Sequence, residues 1–291
     1  MTSNEGKFLG KQVDYPQHYA PEMLVAVPRH FNREQYSLKE DELPFIGYDI
    51  WHAYELSFLT KKGLPVTGLL KIVYPATNDC IVESKSLKLY LNSFNMHQFG
   101  LTAKEGLDEV LSTINKDLTQ LLNTNIELGF FNQNQIEKAF DFNDYCLLEN
   151  EAGVDEIEFK CFNENPDLLS STGKAGILSI ATHLLRSNCK ITNQPDWGSA
   201  YIFIKGNELP DKNALLQYLV SIRNENHFHE EICEMIYKRM WDTFKPNELA
   251  VSCIYTRRGG IDICPVRVSH KHLLPGKLSD SSTLSTKLLR Q

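Results

Sequence analysis

The sequence predicts an α+β fold in which the same order of elements, strand-strand-helix-helix-strand, occurs twice along the chain. Paired stretches of β-favouring residues open each half, runs with helical periodicity follow them, and further β-favouring stretches close each half. Residue identity between the halves is not obvious, so the repeat lies in element order alone. It is typical of a duplicated small module whose antiparallel sheet carries two helices on one face.

The first module is predicted at residues 46–135. Residues 48–59 are rich in aromatic and β-favouring types, residues 61–65 supply a turn, and residues 66–74 form the partner strand. Two helices follow, and residues 126–131 close the module as a strand. The second helix is indicated by apolar residues at steps of three and four, which share one face: Leu107, Val110, Leu111, Ile114, Leu118 and Leu121.

The second module, at residues 176–268, is predicted to repeat this order. Its elements are strands at 177–189 and 198–205 joined by a turn at 194–196, helices at 215–222 and 232–240, and strands at 249–255 and 261–266.

Three further segments complete the chain. Residues 1–45, with prolines among tyrosines, are predicted to form an extended arm. Residues 136–175, rich in acidic residues and Asn, are predicted to connect the modules. Residues 269–291 end in a Ser/Thr-rich stretch, which is typical of a disordered tail.

The composition limits the class of protein. A chain of 291 residues with 42% hydrophobic and 23% charged residues is typical of a globular protein, and its net charge of −7 argues against broad nucleic-acid binding. No apolar run approaches the roughly 20 residues that cross a bilayer, and the polar N-terminus lacks the apolar core of a secretory signal. The sequence therefore predicts a cytoplasmic protein without membrane or nucleic-acid partners. Its seven scattered cysteines favour reduced thiols.

Cys189 and Asp196 are the first candidates for chemistry. Cysteine is well suited to attack an electrophilic carbon near neutral pH, and a nearby acid can protonate the atom that receives the displaced electrons. A turn between them is predicted to bring both side chains together. To hold a proton near pH 7, Asp196 needs surroundings that raise its pKa, and Trp197 is a candidate for that dry wall. The plain alternatives are a buried thiol and a turn-capping carboxylate.

His229 and Glu230 lie where the second helix of the second module is predicted to begin. A plain interpretation places Glu230 at the positive end of the helix dipole and His229 on the surface. A carboxylate at this point can also accept hydrogen bonds from a pair of N–H groups on a ligand. Lys190, next to Cys189 on a strand, is predicted to point away from the site.

Two further groups are candidates for binding. Glu83, Ser84 and Lys85 open the first helix of the first module, where a capping motif is the plain alternative. Arg258 and Gly259 belong either to a solvated hairpin turn or to a loop where glycine lets a phosphate approach and arginine binds it.

Four motifs in order resemble the NADPH-dependent 7-cyano-7-deazaguanine reductases of queuosine biosynthesis, in their longer two-module form. The resemblance extends from about residue 10 to about residue 265. The motifs are Glu83-Ser84-Lys85-Ser86-Leu87-Lys88-Leu89-Tyr90, residues 188–199, Phe228-His229-Glu230, and Tyr255-Thr256-Arg257-Arg258-Gly259-Gly260.

The resemblance implies tandem tunnelling-fold modules with the site between them, and a homodimer. It implies reduction of a nitrile to an amine through a thioimide on Cys189, with Asp196 as the acid, His229 assisting proton movement, and no metal. The substrate, a 7-deazaguanine, is then expected to contact Val82, Glu83, Ser84, His229 and Glu230. NADPH, two molecules per turnover, is expected to contact Ser84, Lys85, Arg258 and Gly259.

Two rivals stay open at this point. A GTP cyclohydrolase-like hydrolase shares this fold class and a purine pocket but depends on zinc, and a non-catalytic purine- or pterin-binding module would oxidise no NADPH. No G-x-G-x-x-G follows a strand, and no cluster has zinc-like spacing. Cys233 is either a packing residue or a partner for a protective disulfide with Cys189.

Overall fold

A computed structural model of the chain describes residue 16 and residues 18–131, 142–281 and 283–285. The described residues form a mixed α and β structure. Its helices are α1 (His30–Gln35), α2 (Ser84–Asn92), α3 (Ala103–Leu122), α4 (Lys212–Ser221) and α5 (His229–Phe244). Its strands are β1 (Ala26–Pro28), β2 (Ile46–Thr60), β3 (Pro65–Pro75), β4 (Cys80–Val82), β5 (Gln98–Phe99), β6 (Glu127–Phe131), β7 (Cys146–Leu147), β8 (Gly176–Asn188), β9 (Pro195–Gly206), β10 (Glu248–Tyr255), β11 (Ile261–Ile263) and β12 (Val266–Val268).

One sheet runs through both halves of the chain. Its main path is β6-β3-β2-β12-β10-β9-β8-β7, and β5 and β11 pair with β2 beside it. The pairs of β5 with β2 and of β7 with β8 are parallel, and the other pairs in this sheet are antiparallel. The halves meet where β12 pairs with β2, with Tyr48 opposite Val266. The predicted α+β class is confirmed, while the tunnelling-fold identity of the modules stays a prediction.

The helices pack on one face of this sheet. In the first half, the predicted α3 stripe is buried against β2 and β3, with Val110, Ile114 and Leu118 fully covered. In the second half, α4 and α5 cover β8, β9 and β10. The opposite face has its own apolar core, which includes Ile50 and Ile254. The central strands β2, β3, β9 and β10 therefore bury residues on both of their faces. The described residues contain no helix long and apolar enough to cross a bilayer.

Two predicted strand boundaries in the second half are wrong. The turn between β8 and β9 lies at residues 189–194, and Pro195 begins β9 instead of lying in the turn. Proline is tolerated as a first strand residue because its missing N–H breaks no ladder bond there. The predicted strand at 261–266 is divided into β11 and β12 at Pro265, whose carbonyl accepts a hydrogen bond from the Cys253 amide at 3.0 Å.

The segments outside the predicted modules are more ordered than the sequence suggests. The arm contains α1 and β1, and β1 pairs with β4. In the predicted disordered tail, Leu278 and Leu284 are buried in the apolar core that includes Ile50 and Ile254, on the face of the sheet opposite α3, α4 and α5. The Lys71 ammonium, itself fully buried, donates to the carbonyls of Asp280 and Thr283. Disorder is therefore not seen for residues 269–281 and 283–285. Residues 1–15, 17, 132–141, 282 and 286–291, on which parts of these predictions fall, lie outside the described residues.

A buried ion cluster, formed by Arg29, Arg33, Arg267, Asp49 and Glu234, holds the N-terminal segment against both halves. Arg267 on β12 donates to Asp49 Oδ1 at 2.9 Å and to Glu234 Oε1 at 3.1 Å. Arg29 pairs with Asp49, and Arg33 pairs with Glu234 at 2.9 Å. Burial alone would raise the pKa of both carboxyl groups, but the arginines hold the pKa of Asp49 and of Glu234 below its usual range. The cluster therefore joins β2, β12, α5 and the N-terminal segment through ionised side chains.

Replacing Glu234 with Gln should lower the free energy of unfolding by about 3–5 kcal/mol, because the variant leaves buried arginine charge without its shared carboxylate. Urea unfolding followed by circular dichroism measures this loss. The matched control is Glu42→Gln, since the Glu42–Lys39 ion pair is exposed and its loss should have no measurable effect. Equal stability of both variants would contradict the structural role assigned to the cluster.

Candidate active site

A cavity of about 480 Å³ lies between the two halves of the chain. Its walls come from β2, α2, the turn between β8 and β9, the start of α5 and the loop between β10 and β11. Both halves of the chain contribute residues, as the family resemblance implies. Every predicted site residue except Glu83 lines the cavity: Val82, Ser84, Lys85, Cys189, Asp196, His229, Glu230, Arg258 and Gly259.

A tight turn places Cys189 beside Asp196. The Cys189 amide donates to the Gln194 carbonyl at 2.8 Å, and the Asn193 amide donates back to the Cys189 carbonyl at 3.0 Å. Asn193 has a φ of +56°, a left-handed conformation that asparagine tolerates better than most residues. Ser187 lies opposite Asp196 in the β8–β9 ladder, and Cys189 follows Ser187 by two positions. Both residues line the cavity, so the turn brings the thiol and the carboxyl to one site.

Asp196 is held as a carboxylate, which corrects the predicted raised pKa. Its side chain is nearly buried, and burial by itself would raise the pKa. His229 Nε2 lies 3.4 Å from Asp196 Oδ2, and Arg258 pairs with Asp196 Oδ1. The His229 ring and the Arg258 guanidinium outweigh burial and lower the pKa of Asp196 below its usual range. Trp197 is not among the residues that line the cavity, and Arg186 and Arg223 lie over its ring.

His229 is fixed by two contacts in an orientation that suits proton transfer. Its ring stacks on that of Tyr255, with centroids 3.9 Å apart and planes 7° from parallel. Its Nε2 faces Asp196, while its Nδ1 is buried and has no hydrogen-bond partner among the described residues. Nε2 of the imidazole therefore contacts the Asp196 carboxylate, and Nδ1 is available to a ligand. Sequence alone could not reveal the stacking partner, which comes from β10.

Glu230 presents a different electrostatic situation from Asp196. It lies in the first turn of α5 and is 1% exposed, and its Oε1 has no hydrogen-bond partner among the described residues. Burial, assisted by the nearby charge of Asp49, raises the pKa of Glu230 to about 8. Asp196 and Glu230, which both line the cavity, thus differ: Asp196 is ionised and Glu230 favours its protonated form.

Glu83 caps α2 from outside the cavity. Its carboxylate accepts from the Lys85 amide at 2.8 Å and from the Ser86 amide at 2.7 Å, which satisfies two free donors at the helix start. This is the capping geometry that the sequence analysis keeps as the plain alternative. The cap fixes Ser84 and Lys85 at the cavity wall. Direct substrate contact by Glu83 stays a prediction.

Lys88 is a cavity residue that the sequence analysis misses. Burial and the neighbouring Arg258 charge lower its pKa. Lys88 lies four positions after Ser84 and three after Lys85, so helical spacing could have identified it. Gly259 has a φ of +56°, and a side chain there would lie 3.4 Å from the Lys88 side chain. Gly259 therefore lets the backbone lie close to the Lys88 side chain in this wall, which Lys88 and Arg258 both line.

His227 and Lys190 are held by charges near the cavity. Lys190 lies 3.2 Å from Glu231, which agrees with the prediction that it does not serve the thiol. His227, which lines the cavity, contacts Glu225 and Glu231. Burial would lower the pKa of His227, but the two carboxylates outweigh it and raise the pKa to about 9.

Two groups of potential ligands or thiols lie away from the cavity. Cys233 is fully buried, and its Sγ lies 3.6 Å from the carbonyls of Val251 and Pro265, which favours the packing interpretation over a disulfide. Within the described parts of the chain, His52, Asp262 and Cys264 are close enough to share a metal ion. Their hydrogen bonds to one another, 2.6 Å from His52 Nδ1 to Asp262 and 3.3 Å from Cys264 to Asp262, already account for their placement.

Two family models match this chain. Residues 15–130 match "Nitrile reductase, 7-cyano-7-deazaguanine-reductase N-term", and residues 195–273 match "QueF-like protein". A solved structure described as "Crystal structure of the archaeosine synthase QueF-Like in the apo form" aligns over 33% of this chain and 92% of that chain, with 14% identity and a TM-score of 0.29. A similarity at that TM-score has no weight for the fold or function of this chain.

Replacing Arg258 with Ala should raise the pKa of Asp196, because the guanidinium charge that opposes the effect of burial is removed. A carboxyl-carbon NMR titration measures that pKa. In the wild type, the lowered pKa gives a contribution to stability that is present above the unfolded-state pKa and is lost as the pH falls through the folded-state pKa. The control is Arg257→Ala, since Arg257 lies over the Tyr54 ring at 4.5 Å. An unchanged Asp196 titration in the Arg258 variant would refute the ion pair.

Proposed function

The chain belongs to the 7-cyano-7-deazaguanine reductase family of nitrile reductases, and from that premise we propose that it reduces the nitrile of 7-cyano-7-deazaguanine to the primary amine, 7-aminomethyl-7-deazaguanine, with NADPH. The family acts in queuosine biosynthesis. The observation that supports the proposal most strongly is that Cys189, the His229–Asp196 pair and Glu230 line one cavity. The cavity thus combines a nucleophile, a proton carrier and a base-binding carboxyl group.

Cys189 is the proposed nucleophile. Its Sγ forms a bond to the nitrile carbon, one π-electron pair of the nitrile moves to nitrogen, and nitrogen takes up a proton. The product of this step is a thioimide on Cys189. The thiol proton is balanced by the proton that nitrogen gains, so the addition is neutral overall. Covalent capture divides a four-electron reduction into two steps of two electrons each.

The His229–Asp196 pair is the proposed proton carrier. The geometry supports a shared role, because Asp196 is ionised and His229 faces it through Nε2 at 3.4 Å. Asp196 would stabilise the imidazolium form and fix the ring, and His229 would deliver the proton to the substrate nitrogen. In this proposal Asp196 acts through the histidine, whereas the family resemblance alone assigns the acid to Asp196.

Glu230 is the proposed reader of the substrate base. Its unpartnered Oε1 can accept from the N–H edge of a deazaguanine, and its other oxygen can accept beside it. Val82 and Ser84 line the same cavity from the β4–α2 junction. Glu83 supports this wall by capping α2, so its contribution to binding would be indirect. A direct contact with the substrate would require Glu83 to give up one of its hydrogen bonds to the α2 amides.

The cationic wall of the cavity fits NADPH. Lys85, Lys88 and Arg258 line it together with the Ser84 hydroxyl, and such groups suit the phosphates of a dinucleotide. Because Gly259 has no side chain, a phosphate can approach its backbone closely. Bound NADPH supplies the hydrides, and two molecules account for the four electrons. The chain's own residues would orient that cofactor against the Cys189 side of the cavity.

We extend the proposal to the architecture. The order β2-β3-α2-α3-β6 in the first half and β8-β9-α4-α5-β10 in the second supports tandem tunnelling-fold modules. The domain boundaries, the homodimer and the cytoplasmic location belong to the same proposal.

Mixing the wild-type protein with the nitrile, without NADPH, should increase its mass by one substrate molecule, and Cys189→Ala should abolish the increase because no sulfur is present at the nitrile carbon. Intact-protein mass spectrometry measures both. Cys146→Ala, which removes an exposed thiol on β7, should form the adduct as the wild type does. An adduct in the Cys189 variant would refute the proposed nucleophile.

Replacing Lys88 with Ala should raise the KM for NADPH about ten- to a hundredfold, because a charge-assisted hydrogen bond to phosphate contributes about 1.5–3 kcal/mol. Steady-state oxidation of NADPH in the presence of the nitrile measures the effect. The exposed Lys61, in the β2–β3 turn, provides the control variant Lys61→Ala, which should leave the KM unchanged. Equal KM values in both variants would show that Lys88 does not bind the cofactor.

A further inference from the structure

Glu230 has a carboxyl oxygen that the protein itself does not satisfy. The residue is buried, lines the cavity, and leaves Oε1 without a hydrogen-bond partner among the described residues. A buried carboxylate with unmet hydrogen-bonding capacity is costly, by several kcal/mol in general. The ionised form of Glu230 is therefore disfavoured while the cavity contains no ligand.

The surrounding arginines form no ion pair with Glu230 among the described residues. The three arginines of the buried ion cluster are directed at other carboxylates: Arg29 and Arg267 contact Asp49, and Arg33 and Arg267 contact Glu234. Arg29 and Arg267 favour the ionised form of Glu230 only through their charges, and that influence is smaller than that of burial. An ionised Glu230 would therefore be a buried charge without a direct cationic partner.

Groups on several elements influence the protonation of Glu230. The positive end of α5 and Glu230's own backbone N–H favour ionisation. Burial is the largest opposing influence, and Asp49 adds to it, so the pKa is raised to about 8. The charged and titratable neighbours are Asp49 on β2, Tyr74 on β3, Arg29 before α1, Arg267 on β12, and His229, Glu231 and Glu234 on α5.

We propose that Glu230 reads the base in a proton-linked manner: it is a carboxylic acid in the empty cavity and ionises when a base with two adjacent N–H donors binds. The proposal rests on the proposed function, since it concerns the same cavity and the same class of substrate. On binding, the carboxyl O–H bond breaks, the proton passes to the solvent, and the two carboxylate oxygens accept the two N–H groups. No electrons are transferred, and one proton leaves for each base bound.

The linkage makes base affinity depend on pH. Because the base selects the ionised form, its Kd should rise roughly tenfold for each unit that the pH falls below about 8, where the acid form dominates. Above that pH the Glu230 contribution should become constant. A base whose edge has an acceptor in place of one N–H donor would not favour the ionised carboxylate and should release no proton from Glu230.

Isothermal titration calorimetry of the Cys189→Ala protein with 7-cyano-7-deazaguanine tests the proposal without covalent capture. Titrations near pH 7 in phosphate and in Tris, buffers with different ionisation enthalpies, give the number of protons exchanged. We expect about 0.9 proton released per base, the fraction of a group with a pKa of about 8 that is protonated at this pH. The double variant Cys189→Ala/Glu230→Gln should bind more weakly and release none.

A buffer-independent enthalpy with clear binding would overturn the inference and leave the proposed function intact, as would proton release that persists in the Gln variant. Absence of binding to the Cys189→Ala protein would reject the proposed function as well. If the Gln variant binds too weakly to titrate, infrared difference spectroscopy decides. The wild-type spectrum should lose a protonated carboxyl band when the base binds, and absence of that loss would overturn the inference.

Discussion

The buried ion cluster is the interaction on which the rest of this structure depends. Asp49 belongs to the first half and Glu234 to the second, and arginines from β12 and from the N-terminal segment bind both carboxylates. The cavity lies beside this junction, with α5 contributing to both. Because buried charges tolerate little displacement from their partners, the cluster fixes where the start of α5 lies relative to β2.

Asp196 and Glu230, two of the carboxyl groups that line the cavity, have opposite properties. Asp196 has Arg258 and His229 as direct partners, and its pKa is lowered. Glu230 is buried and has no direct cationic partner among the described residues, and its pKa is raised to about 8. Carboxyl groups whose surroundings separate their pKa values commonly take different chemical roles. Here one carboxylate supports proton transfer through a histidine, while the other carboxyl group changes its protonation state with the ligand.

Local patterns in the sequence predicted much of the fold and most of the cavity wall. The α3 stripe and the β2–β3 hairpin follow from periodicity and turn chemistry, which act within a few residues. The predicted turn at Pro195 was wrong because the Cys189 amide bonds to the Gln194 carbonyl and the Asn193 amide bonds to the Cys189 carbonyl, which closes the hairpin before Pro195. The prediction of a disordered tail was wrong for the described residues. These residues contact Lys71, which lies more than two hundred positions away along the chain, so local sequence patterns do not reveal the contact.

The electrostatics of the site could not be predicted in the same way. The sequence showed that Asp196 and Arg258 belong to the same set of motifs, but their pairing depends on how the β10–β11 loop reaches β9. The lowered pKa of Asp196 is therefore a property of tertiary packing, as is the charge balance around Glu230. Lys88 was within reach of sequence reasoning, since it shares a helical face with Ser84.

The central claim is that one cavity between the halves holds the nitrile at Cys189 and the base edge at Glu230. A crystal structure of the Cys189→Ala protein with 7-cyano-7-deazaguanine tests it most directly. The account predicts the nitrile carbon beside residue 189 and the N–H edge of the base within hydrogen-bond distance of both Glu230 oxygens. A base bound with that edge toward Lys88 and Arg258, or bound outside the cavity, would contradict it.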